Sequence, residues 1–478
     1  MSLLSLALVA LYASLALAVQ PIKVQGSNFV NSVTGDRLQI IGVAYQPGGS
    51  AGFKPDSGID PLSNGTECLR DAAIMQSLGV NAIRVYNVDP DLNHDMCASI
   101  FNDVGIYMII DVNSPLGGES LVPGEQLEGS YNAGYLNHIF SVVEAFHNYN
   151  NVLGFFSGNE DMNDVPSGGP VPPYIRSVTR DLKNYIAKNS PRVIPVGYSA
   201  ADVRDILADS WAYLSCDIDG NDNDMSRIDF FGLNSYSWCG SQATFESSQY
   251  NVLVDQFSKT TVPVFFSEYG CNKVLPRVFD EVQALYGSEM TGVMSGGLVY
   301  EYYEEVSNNF GLVWVYDNGT AELRTDYDNL QKQFNKLDSK ALQSGNSTAT
   351  KLTSPKCDAS LISSTSFNNT FDIPSIPRGG QKLIDNGIPK PNNGKIVPVT
   401  DTKVTQNVYD SSGKLMTNLV IKPLPNDQSN NPSGTDSSGT GTGSATSPTS
   451  TKGAAGQLNV PATAAAAAAA LLIYNIIF

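Results

Sequence analysis

Between Leu38 and Tyr302, short apolar runs that indicate strands alternate with longer segments whose apolar residues recur at helical spacing. We count eight strand segments, and most are continuously apolar, which is typical of strands buried on both faces. Repeated strand and helix units predict a parallel sheet. Eight units in a stretch of this length match a (β/α)8 TIM barrel, which usually needs ~250 residues.

The same patterns give the boundaries of the units. The predicted strands are 38–44, 81–86, 105–111, 152–160, 192–198, 228–234, 264–269 and 296–302. The predicted helices are 67–78, 94–104, 134–148, 174–189, 200–213, 245–257 and 276–287. A doubly wound open sheet is the structural alternative, but Gly42-Val43-Ala44-Tyr45-Gln46-Pro47 stands where the glycine-rich loop of that fold is expected.

Two of the predicted strands end in a glutamate. One strand reaches Glu160 and the other reaches Glu268, and a third strand ends at Asp111. A charge at the end of a buried strand needs partners or a function. Because active sites of barrels lie at the carboxyl ends of the strands, we expect these carboxylates to meet at the barrel mouth. A carboxylate pair is the arrangement that cleavage of glycosidic bonds requires.

Charge narrows the possible partners. The chain of 478 residues has a net charge of -18 and a pI near 4.5. A nucleic-acid surface needs clustered Lys and Arg, which the sequence lacks. The 22 Tyr and 19 Phe beside many Asn, Asp and Gly are compatible with a carbohydrate groove. We therefore expect a neutral partner and no nucleic acid.

The N-terminal segment indicates secretion. Residues 1–18 form an apolar run that ends in Ala16-Leu17-Ala18, a pattern typical of a signal-peptide cleavage site. The mature chain is expected to begin near Val19. Six cysteines and four glycosylation sequons support an extracellular destination. The sequon asparagines are Asn64, Asn318, Asn346 and Asn368.

The C-terminal segment resembles a lipid-attachment signal. Residues 462–478 are apolar to the last residue, with no basic flank behind them, unlike a stop-transfer helix. Small residues around Gly453 precede a short polar spacer. This order predicts a glycosylphosphatidylinositol (GPI) signal over 457–478, removed on maturation, with the lipid attached near Gly453. A simple tail anchor is the alternative.

Three further regions complete the predicted organisation. The catalytic barrel is expected to span 19–340, with 310–316 and a helix around 327–337 sealing its edge. Residues 341–425 predict a C-terminal extension on or near the barrel, with a hairpin that joins 407–409 to 415–416. Residues 426–456, rich in Ser, Thr and Gly, predict a disordered stalk.

Several motifs resemble a known family. Gly158-Asn159-Glu160 and Ser267-Glu268-Tyr269 are similar to the signatures of retaining glycosidases with barrel folds. Together with 42–47, Arg84-Val85-Tyr86 and 295–302, they resemble the fungal cell-wall β-1,3-glucanosyltransferases of glycoside hydrolase family seventy-two. The resemblance covers about residues 20–360. No cysteine follows Cys357, so the cysteine-rich module of some family members is not expected.

The resemblance implies roles for particular residues. Glu160 is expected to be the acid/base and Glu268 the nucleophile, and Asn159 is expected to hold the 2-hydroxyl of the donor sugar. The other implied donor residues are Gln46, Tyr86, Asp111, Tyr236 and Tyr300, with Tyr300 preferred to Tyr302 on motif register. Asp202 and Arg204 are expected to hold the acceptor, although their loop is shorter than usual for the family.

Structural roles remain open for some of these residues. The three tyrosines could belong to the core, and Arg84 is at least as well suited to a salt bridge with the nucleophile as to a ligand contact. Six cysteines allow fifteen pairings from sequence alone. The resemblance implies the pairs Cys68 with Cys97, Cys216 with Cys357, and Cys239 with Cys271.

No metal or cofactor is expected. Asp217-Ile218-Asp219-Gly220-Asn221-Asp222-Asn223-Asp224 resembles a calcium loop at first sight, but its glycine and closing residue are misplaced. We interpret it as a solvated loop. His94, His138 and His147 have no metal-ligand spacing.

The leading functional hypothesis is a monomeric transglycosylase that acts on two β-1,3-glucan chains, a donor and an acceptor. It is expected on the outer face of the plasma membrane and in the wall, held by its lipid. A retaining endo-β-1,3-glucanase is the first alternative, since water could replace the acceptor. A glucan-binding wall protein without turnover is the second.

Overall fold

The computed structural model describes residues 19–49, 53, 58, 60–124, 126–220, 222–305, 308–344 and 351–432. The predicted signal peptide, Asn346, Gly453, most of the stalk and the lipid signal lie outside these residues. Within the described part of the chain, no helix combines the length and apolarity needed to cross a membrane.

Eight parallel strands close into a barrel, which confirms the predicted (β/α)8 fold. The strands of the described chain are β1 (Ile22–Gln25), β2 (Asn28–Asn31), β3 (Arg37–Leu38), β4 (Ile40–Ala44), β5 (Ala82–Val85), β6 (Tyr107–Asp111), β7 (Val152–Asn159), β8 (Val196–Ala201), β9 (Phe230–Asn234), β10 (Val264–Tyr269), β11 (Met294–Val299), β12 (Val313–Val315), β13 (Ala321–Leu323) and β14 (Val408–Tyr409). Strands β4 to β11 follow one another around the barrel, and β11 pairs with β4 to close it.

A small antiparallel sheet, β1 to β3, precedes the barrel and was not predicted. It carries Phe29 to the amino ends of the barrel strands, where the ring lies 5.7 Å from that of Phe230 and 5.8 Å from that of Phe265. These aromatic side chains are buried. This end of the barrel is therefore filled, and the opposite end, where the strands finish, is left for the site.

The helices between the strands have the bounds Gly65–Leu78, Asp95–Asp103, Leu127–Ser130, Ala133–Phe146, Pro172–Asn189, Arg204–Ser215, Tyr250–Phe257 and Glu281–Leu285. The last three begin four or five residues later than predicted, and Ala200 and Ala201, predicted as the start of a helix, end β8 instead. Gln249 and Phe279 have positive φ values of 59° and 54°, a conformation that an α-helix cannot include. Each residue therefore lies just outside the helix that follows it.

The C-terminal extension lies on the barrel. The helix Thr325–Phe334 lies in the predicted barrel region, Ser339–Gln343 spans the boundary, and Gly380–Asn386 belongs to the extension. The Asn189 Nδ2 amide donates to the Ile384 carbonyl at 3.1 Å, and Lys188 pairs with Asp385 at 2.7 Å. The predicted hairpin is present, because the Met416 N–H donates to the Val408 carbonyl at 2.8 Å.

The packed segment continues past the predicted start of the stalk. The Asn430 N–H donates to the Gly105 carbonyl at 2.9 Å, and its side-chain amide donates to the Val80 carbonyl at 2.8 Å. Asn430 is also buried. The assignment of 426–432 to a disordered stalk is therefore wrong, since these residues satisfy polar groups at the barrel surface.

The disulfides confirm all three predicted pairings, with S–S distances of 2.04 Å. Cys216–Cys357 joins the barrel to the segment after it, across 141 residues. The loop 217–224 beside it is not simply solvated as interpreted above. Asp217 pairs with Arg227 at 2.9 Å, and Asp224 pairs with the buried Arg176 at 2.6 Å. These carboxylates therefore have structural partners.

Candidate active site

Glu160 and Glu268 lie at the carboxyl ends of β7 and β10, the fourth and seventh strands of the barrel. Glu160 follows β7 directly with a positive φ of 53°, and its N–H donates to the Ser199 carbonyl at 2.9 Å. Glu268 pairs with Asn234 in the register between β10 and β9. The closed sheet thus brings both predicted catalytic carboxylates to the same end of the barrel, as barrel geometry requires.

Three donors surround the Glu268 carboxylate. The Tyr86 hydroxyl donates to Oε1 at 2.9 Å, and the Tyr236 hydroxyl donates to Oε2 at 2.6 Å. The Arg84 guanidinium contacts Oε1 at 3.3 Å. Glu268 itself is only 8% exposed. A buried carboxylate is thus provided with donors on both oxygens, as an anion needs.

Burial raises the pKa of Glu268 to about 7. The charge of Arg84 opposes this rise, the charge of Glu160 adds to it, and the two tyrosine hydrogen bonds lower the pKa again. Burial also raises the pKa of Tyr86 and Tyr236 well above the ordinary value, so both phenols remain neutral donors. Their hydrogen bonds therefore favour the ionised form of Glu268, which is the form that can attack a sugar carbon.

Arg84 connects the site residues of neighbouring strands. It is 0% exposed, and its guanidinium lies 4.3 Å from the ring centre of Tyr86 and 4.6 Å from that of Phe156. It makes two hydrogen bonds to Asp111, at 3.0 and 2.7 Å. Burial lowers the pKa of Arg84, but the charges of Asp111 and Glu268, the nearby Tyr86 and the hydrogen bond to Asp111 together outweigh burial, so the pKa is raised and the group stays ionised. The salt bridge to the nucleophile that we considered for Arg84 is present.

Asn234 is a site residue that the sequence reasoning missed. Its Nδ2 donates to Glu160 Oε1 at 2.8 Å and to Asn159 Oδ1 at 3.1 Å. Its own Oδ1 accepts from the Ser267 hydroxyl at 2.8 Å and from Arg84 at 3.4 Å. Asn234 therefore links the surroundings of the two glutamates. The available signal was its position as the last residue of a predicted buried strand.

Aromatic rings line one side of the site. The Tyr300 ring lies 6.3 Å from Tyr86 and 6.4 Å from Tyr236. Phe310, which we did not predict, lies 5.2 Å from Tyr300 and 5.6 Å from Tyr236. Tyr302 is buried instead and donates to Asp71 at 2.9 Å, whereas Tyr300 lies among the rings beside Glu268.

The polar residues expected to bind the donor sugar differ in their hydrogen-bond partners. Gln46 Oε1 accepts from the backbone of Tyr86 and Asn87 at 3.2 and 3.1 Å, while its buried Nε2 has no hydrogen-bond partner among the residues that the structure describes. Asn159 Oδ1 also accepts from Arg84 at 2.8 Å, so its amide nitrogen is the group left for a ligand. Asp111 is occupied mainly by Arg84.

A cavity of about 340 Å³ is lined by several of these residues, among them Tyr86, Asp111, Asn159 and Glu160. A larger cavity of about 680 Å³ lies near the amino ends of β8 to β10 and has neither glutamate in its lining. We assign the site to the smaller cavity because it contains the convergent polar groups.

The two predicted acceptor residues lie together after β8. Arg204 Nη2 donates to Asp202 Oδ2 at 3.0 Å, and the Ser235 hydroxyl donates to the same oxygen at 2.7 Å. Ser235 directly follows Asn234, which ends β9. The ion pair is therefore tied to the mouth of the barrel through the neighbouring strand.

Other predicted positions have more peripheral surroundings. Cys239–Cys271 joins the loops after β9 and β10, close to Glu268 in the chain. The sequon residues Asn64 and Asn318 are exposed, and Asn368 is half-buried. Across the described ranges, no group of three His, Cys, Asp or Glu side chains is placed to hold a metal ion.

A closed barrel with one glutamate after its fourth strand and another at the end of its seventh defines a class, the barrel enzymes that act on glycosidic bonds with a carboxylate pair. Residues 11–338 match the model of glycoside hydrolase family 72, described as Glucanosyltransferase. The chain belongs to this family, which confirms the resemblance seen in the motifs.

Similar proteins cover most of the chain. The 1,3-beta-glucanosyltransferase gel2 of Aspergillus fumigatus is 53% identical over 428 residues, covering 90% of this chain and 88% of that protein. The probable 1,3-beta-glucanosyltransferase GAS3 of Saccharomyces cerevisiae is 44% identical, covering 85% of this chain and 81% of that protein. A structure of Saccharomyces cerevisiae Gas2p, a mutant in complex with laminaritetraose and laminaripentaose, superposes with a TM-score of 0.64 at 34% identity and covers 75% of both chains.

Proposed function

We propose that this chain is a β-1,3-glucanosyltransferase that cleaves inside a β-1,3-glucan and transfers the new reducing end to the non-reducing end of another glucan. The observation that carries the proposal is the pair of carboxylates at the barrel mouth, with Glu268 held by two phenols and Glu160 held by Asn234. The proposal is supported by membership of the glucanosyltransferase family and by the related enzymes named above.

In the first step, Glu268 attacks the anomeric carbon of the donor sugar and the bond from that carbon to the glycosidic oxygen breaks. Glu160 gives its proton to the departing oxygen, so the leaving glucan carries a new hydroxyl. The sugar is then bound to Glu268 as an ester. The phenols of Tyr86 and Tyr236 hold the carboxylate for the attack, since each donates to a different oxygen.

In the second step, the ionised Glu160 removes a proton from the 3-hydroxyl at the non-reducing end of the acceptor. The acceptor oxygen attacks the anomeric carbon, and Glu268 leaves as a carboxylate. Retention follows from the two displacements. Asn234 orients Glu160 for both steps, because its amide donates to one carboxylate oxygen.

The donor sugar is bound by polar groups and rings around the glutamates. Within the described part of the chain, Gln46 Nε2 is a buried donor without a partner, which a sugar hydroxyl can satisfy. The Asn159 amide nitrogen is suited to the 2-hydroxyl, since its carbonyl oxygen is already engaged. Tyr300 and Phe310 offer apolar faces to the sugar ring.

Asp202 and Arg204 contact the acceptor glucan. Their ion pair lies after β8, beside the strand end that carries Ser235. The acceptor hydroxyls compete with water for the glycosyl-enzyme, so acceptor affinity sets the ratio of transfer to hydrolysis. A retaining endo-β-1,3-glucanase would use the same carboxylates with water in the second step.

Incubation of the secreted domain with a reduced laminarioligosaccharide tests the function. Products longer than the substrate are expected, because transfer joins a fragment of one oligosaccharide to the non-reducing end of another. Only shorter products would support the endo-glucanase instead. A Glu268→Gln chain, which lacks the nucleophile, is the control and should give neither product set.

The proposal for the location of the enzyme rests on its disulfides and on the two terminal segments. Three disulfides fit folding in an oxidising compartment, which supports secretion. We propose that the mature enzyme acts as a monomer and is held on the outer face of the plasma membrane by a GPI lipid near Gly453. A phosphatidylinositol-specific phospholipase should release it, and a mass spectrum that retains Phe478 would contradict the proposal.

A further inference from the structure

The turn between β12 and β13 carries one of the sequons, Tyr316-Asp317-Asn318-Gly319-Thr320. The Gly319 N–H donates to the Tyr316 carbonyl at 2.8 Å, and the Tyr316 N–H donates to the Thr320 carbonyl at 2.9 Å. Gly319 has a positive φ of 79°. This is a three-residue hairpin loop built from a type I turn and a glycine bulge. It places Tyr316 directly opposite Thr320, on the same face of the hairpin.

The turn is rigid at its centre and exposed at its asparagine. The buried Arg70 donates to the Gly319 carbonyl at 2.7 Å, and a Cβ on Gly319 would lie 2.2 Å from Gln406. The Asn318 Oδ1 accepts from the Thr320 N–H at 3.0 Å, while Asn318 itself is exposed. The amide that a glycan would use is therefore held in a fixed relation to the hairpin face.

Tyr316 presents an exposed ring beside that amide. It is 49% exposed, and its hydroxyl donates to Glu322 Oε2 at 2.9 Å, which fixes the ring across the face of β13. Trp314, two residues earlier on the same face, is covered in part by Arg324, whose guanidinium lies 5.8 Å from its ring centre. Among the described residues, neither a ring nor a guanidinium is found against Tyr316. An aromatic face of this kind suits the apolar face of a sugar.

We propose that Asn318 carries an N-glycan whose first N-acetylglucosamine packs on the ring of Tyr316. In the modification, Asn318 Nδ2 loses a proton and bonds to the anomeric carbon of the sugar, and the diphosphate of a lipid-linked oligosaccharide donor leaves. The inference rests on the proposed secretion of the chain, because such donors act only in that pathway. The bound glycan then stabilises the hairpin.

The hairpin matters to the site because it holds the loop that carries Phe310. The Leu312 N–H donates to the Glu301 carbonyl at 3.0 Å, and the Arg324 N–H donates to the Leu312 carbonyl at 2.9 Å. Arg324 also pairs with Glu304 and donates to the Gly311 carbonyl at 2.7 Å. A sugar that limits opening of the hairpin therefore limits motion next to an aromatic wall of the site.

The test is a double-mutant cycle on the full secreted enzyme, with Tyr316→Val, Asn318→Gln and the double variant. Hydrogen exchange of the β12 and β13 amides, read by mass spectrometry, is the measurement. Loss of the glycan should speed exchange by about fivefold when Tyr316 is present and have little effect in the Tyr316→Val chain. Tyr316→Val keeps strand propensity, so the hairpin is retained.

A second cycle with Trp314→Val and Asn318→Gln is the matched control, and its two effects should be additive. Equal effects of Asn318→Gln with and without Tyr316 would overturn the inference, as would an Asn318 without glycan in glycopeptide spectra. Glycan at Asn64 or Asn368 in the same spectra shows that the chain was secreted, which separates failure of this inference from failure of the proposed location. Loss of binding to insoluble β-1,3-glucan in Tyr316→Val, without coupling to the glycan, would instead assign the ring to free glucan.

Discussion

Replacement of Tyr236 by phenylalanine should raise the pKa of the nucleophile. The hydroxyl of Tyr236 donates to Glu268 Oε2 at 2.6 Å, and the ring stays in contact with Tyr300 and Phe310 if the oxygen alone is removed. The hydrogen bond lowers the pKa of Glu268, which burial has raised to about 7. Without it, the ionised form loses a donor and the pKa rises further.

The magnitude follows from the type of bond. A hydrogen bond to a charged group contributes ~1.5 to 3 kcal/mol. One pKa unit corresponds to ~1.4 kcal/mol, so the pKa of Glu268 should rise by about 1 to 2 units. Tyr86→Phe should give a smaller rise, because its hydrogen bond to the same carboxylate is longer, at 2.9 Å. In the proposed mechanism Glu268 attacks as an anion, so activity should be lost as the pH falls through its pKa.

The assay uses a β-configured laminarioligosaccharyl fluoride as donor, with release of fluoride measured against pH. Fluoride leaves with little need of a proton, so kcat/KM on the acidic side reports ionisation of Glu268 rather than of Glu160. The acidic limb of the profile of kcat/KM against pH should move to higher pH in Tyr236→Phe. Tyr300→Phe is the control, since Tyr300 lies in the same cluster but makes no hydrogen bond to Glu268. If the acidic limb stays at the same pH in Tyr236→Phe, or moves equally in Tyr300→Phe, the Tyr236 hydrogen bond does not set the pKa of Glu268.

Four other substitutions test the roles of single groups. Glu160→Gln and Glu268→Gln should each abolish turnover of glucan and keep the fold, and either variant with wild-type product yield would contradict the two-step mechanism. Asn234→Ala should lower kcat by about ten- to a hundredfold with little change in KM, because a hydrogen bond to the acid/base worth ~1.5 to 3 kcal/mol is lost; a change confined to KM would argue against positioning of Glu160. Arg204→Ala should shift products from transfer to hydrolysis by roughly tenfold at equal donor consumption, if its contact is a hydrogen bond from a charged group. An unchanged product ratio would withdraw the acceptor assignment.

The barrel and its carboxylate pair could be predicted because both depend on local patterns. Strands such as β7 and β10 are buried along nearly their whole length, so their sequences are mostly apolar, and the change to a carboxylate at the end stands out. Sheet closure then fixes which ends meet. The disulfide pairing could not be predicted from local patterns, because it came from the family resemblance and not from the spacing of the cysteines.

Contacts between distant segments could not be predicted in this way. Phe310 reaches the site on a loop after the last barrel strand, and only the packing of its ring on Tyr236 and Tyr300 reveals its place. Phe29 fills the other end of the barrel from a short strand that lies before the repeated units. Asn430 was assigned to the stalk because its neighbours are polar, yet its amide groups satisfy buried carbonyls. The composition of a segment does not show which residues that segment contacts in the fold.

The distribution of charge at the mouth of the barrel explains why Glu268 can be both buried and reactive. Arg84 pairs with two carboxylates, Asp111 and Glu268, and Glu160 is linked to them through Asn234. Arg84 is closer to Asp111, at 2.7 Å, than to Glu268, at 3.3 Å, so Glu268 shares this cation with Asp111 and takes its two shortest hydrogen bonds from neutral phenols. Phenol hydrogen bonds stabilise an anion less than a close ion pair does, which leaves the carboxylate free to bond with carbon. The negative charge of these carboxylates also stabilises the positive charge that develops on the sugar ring in the transition state, and this favours cleavage of a neutral glucan.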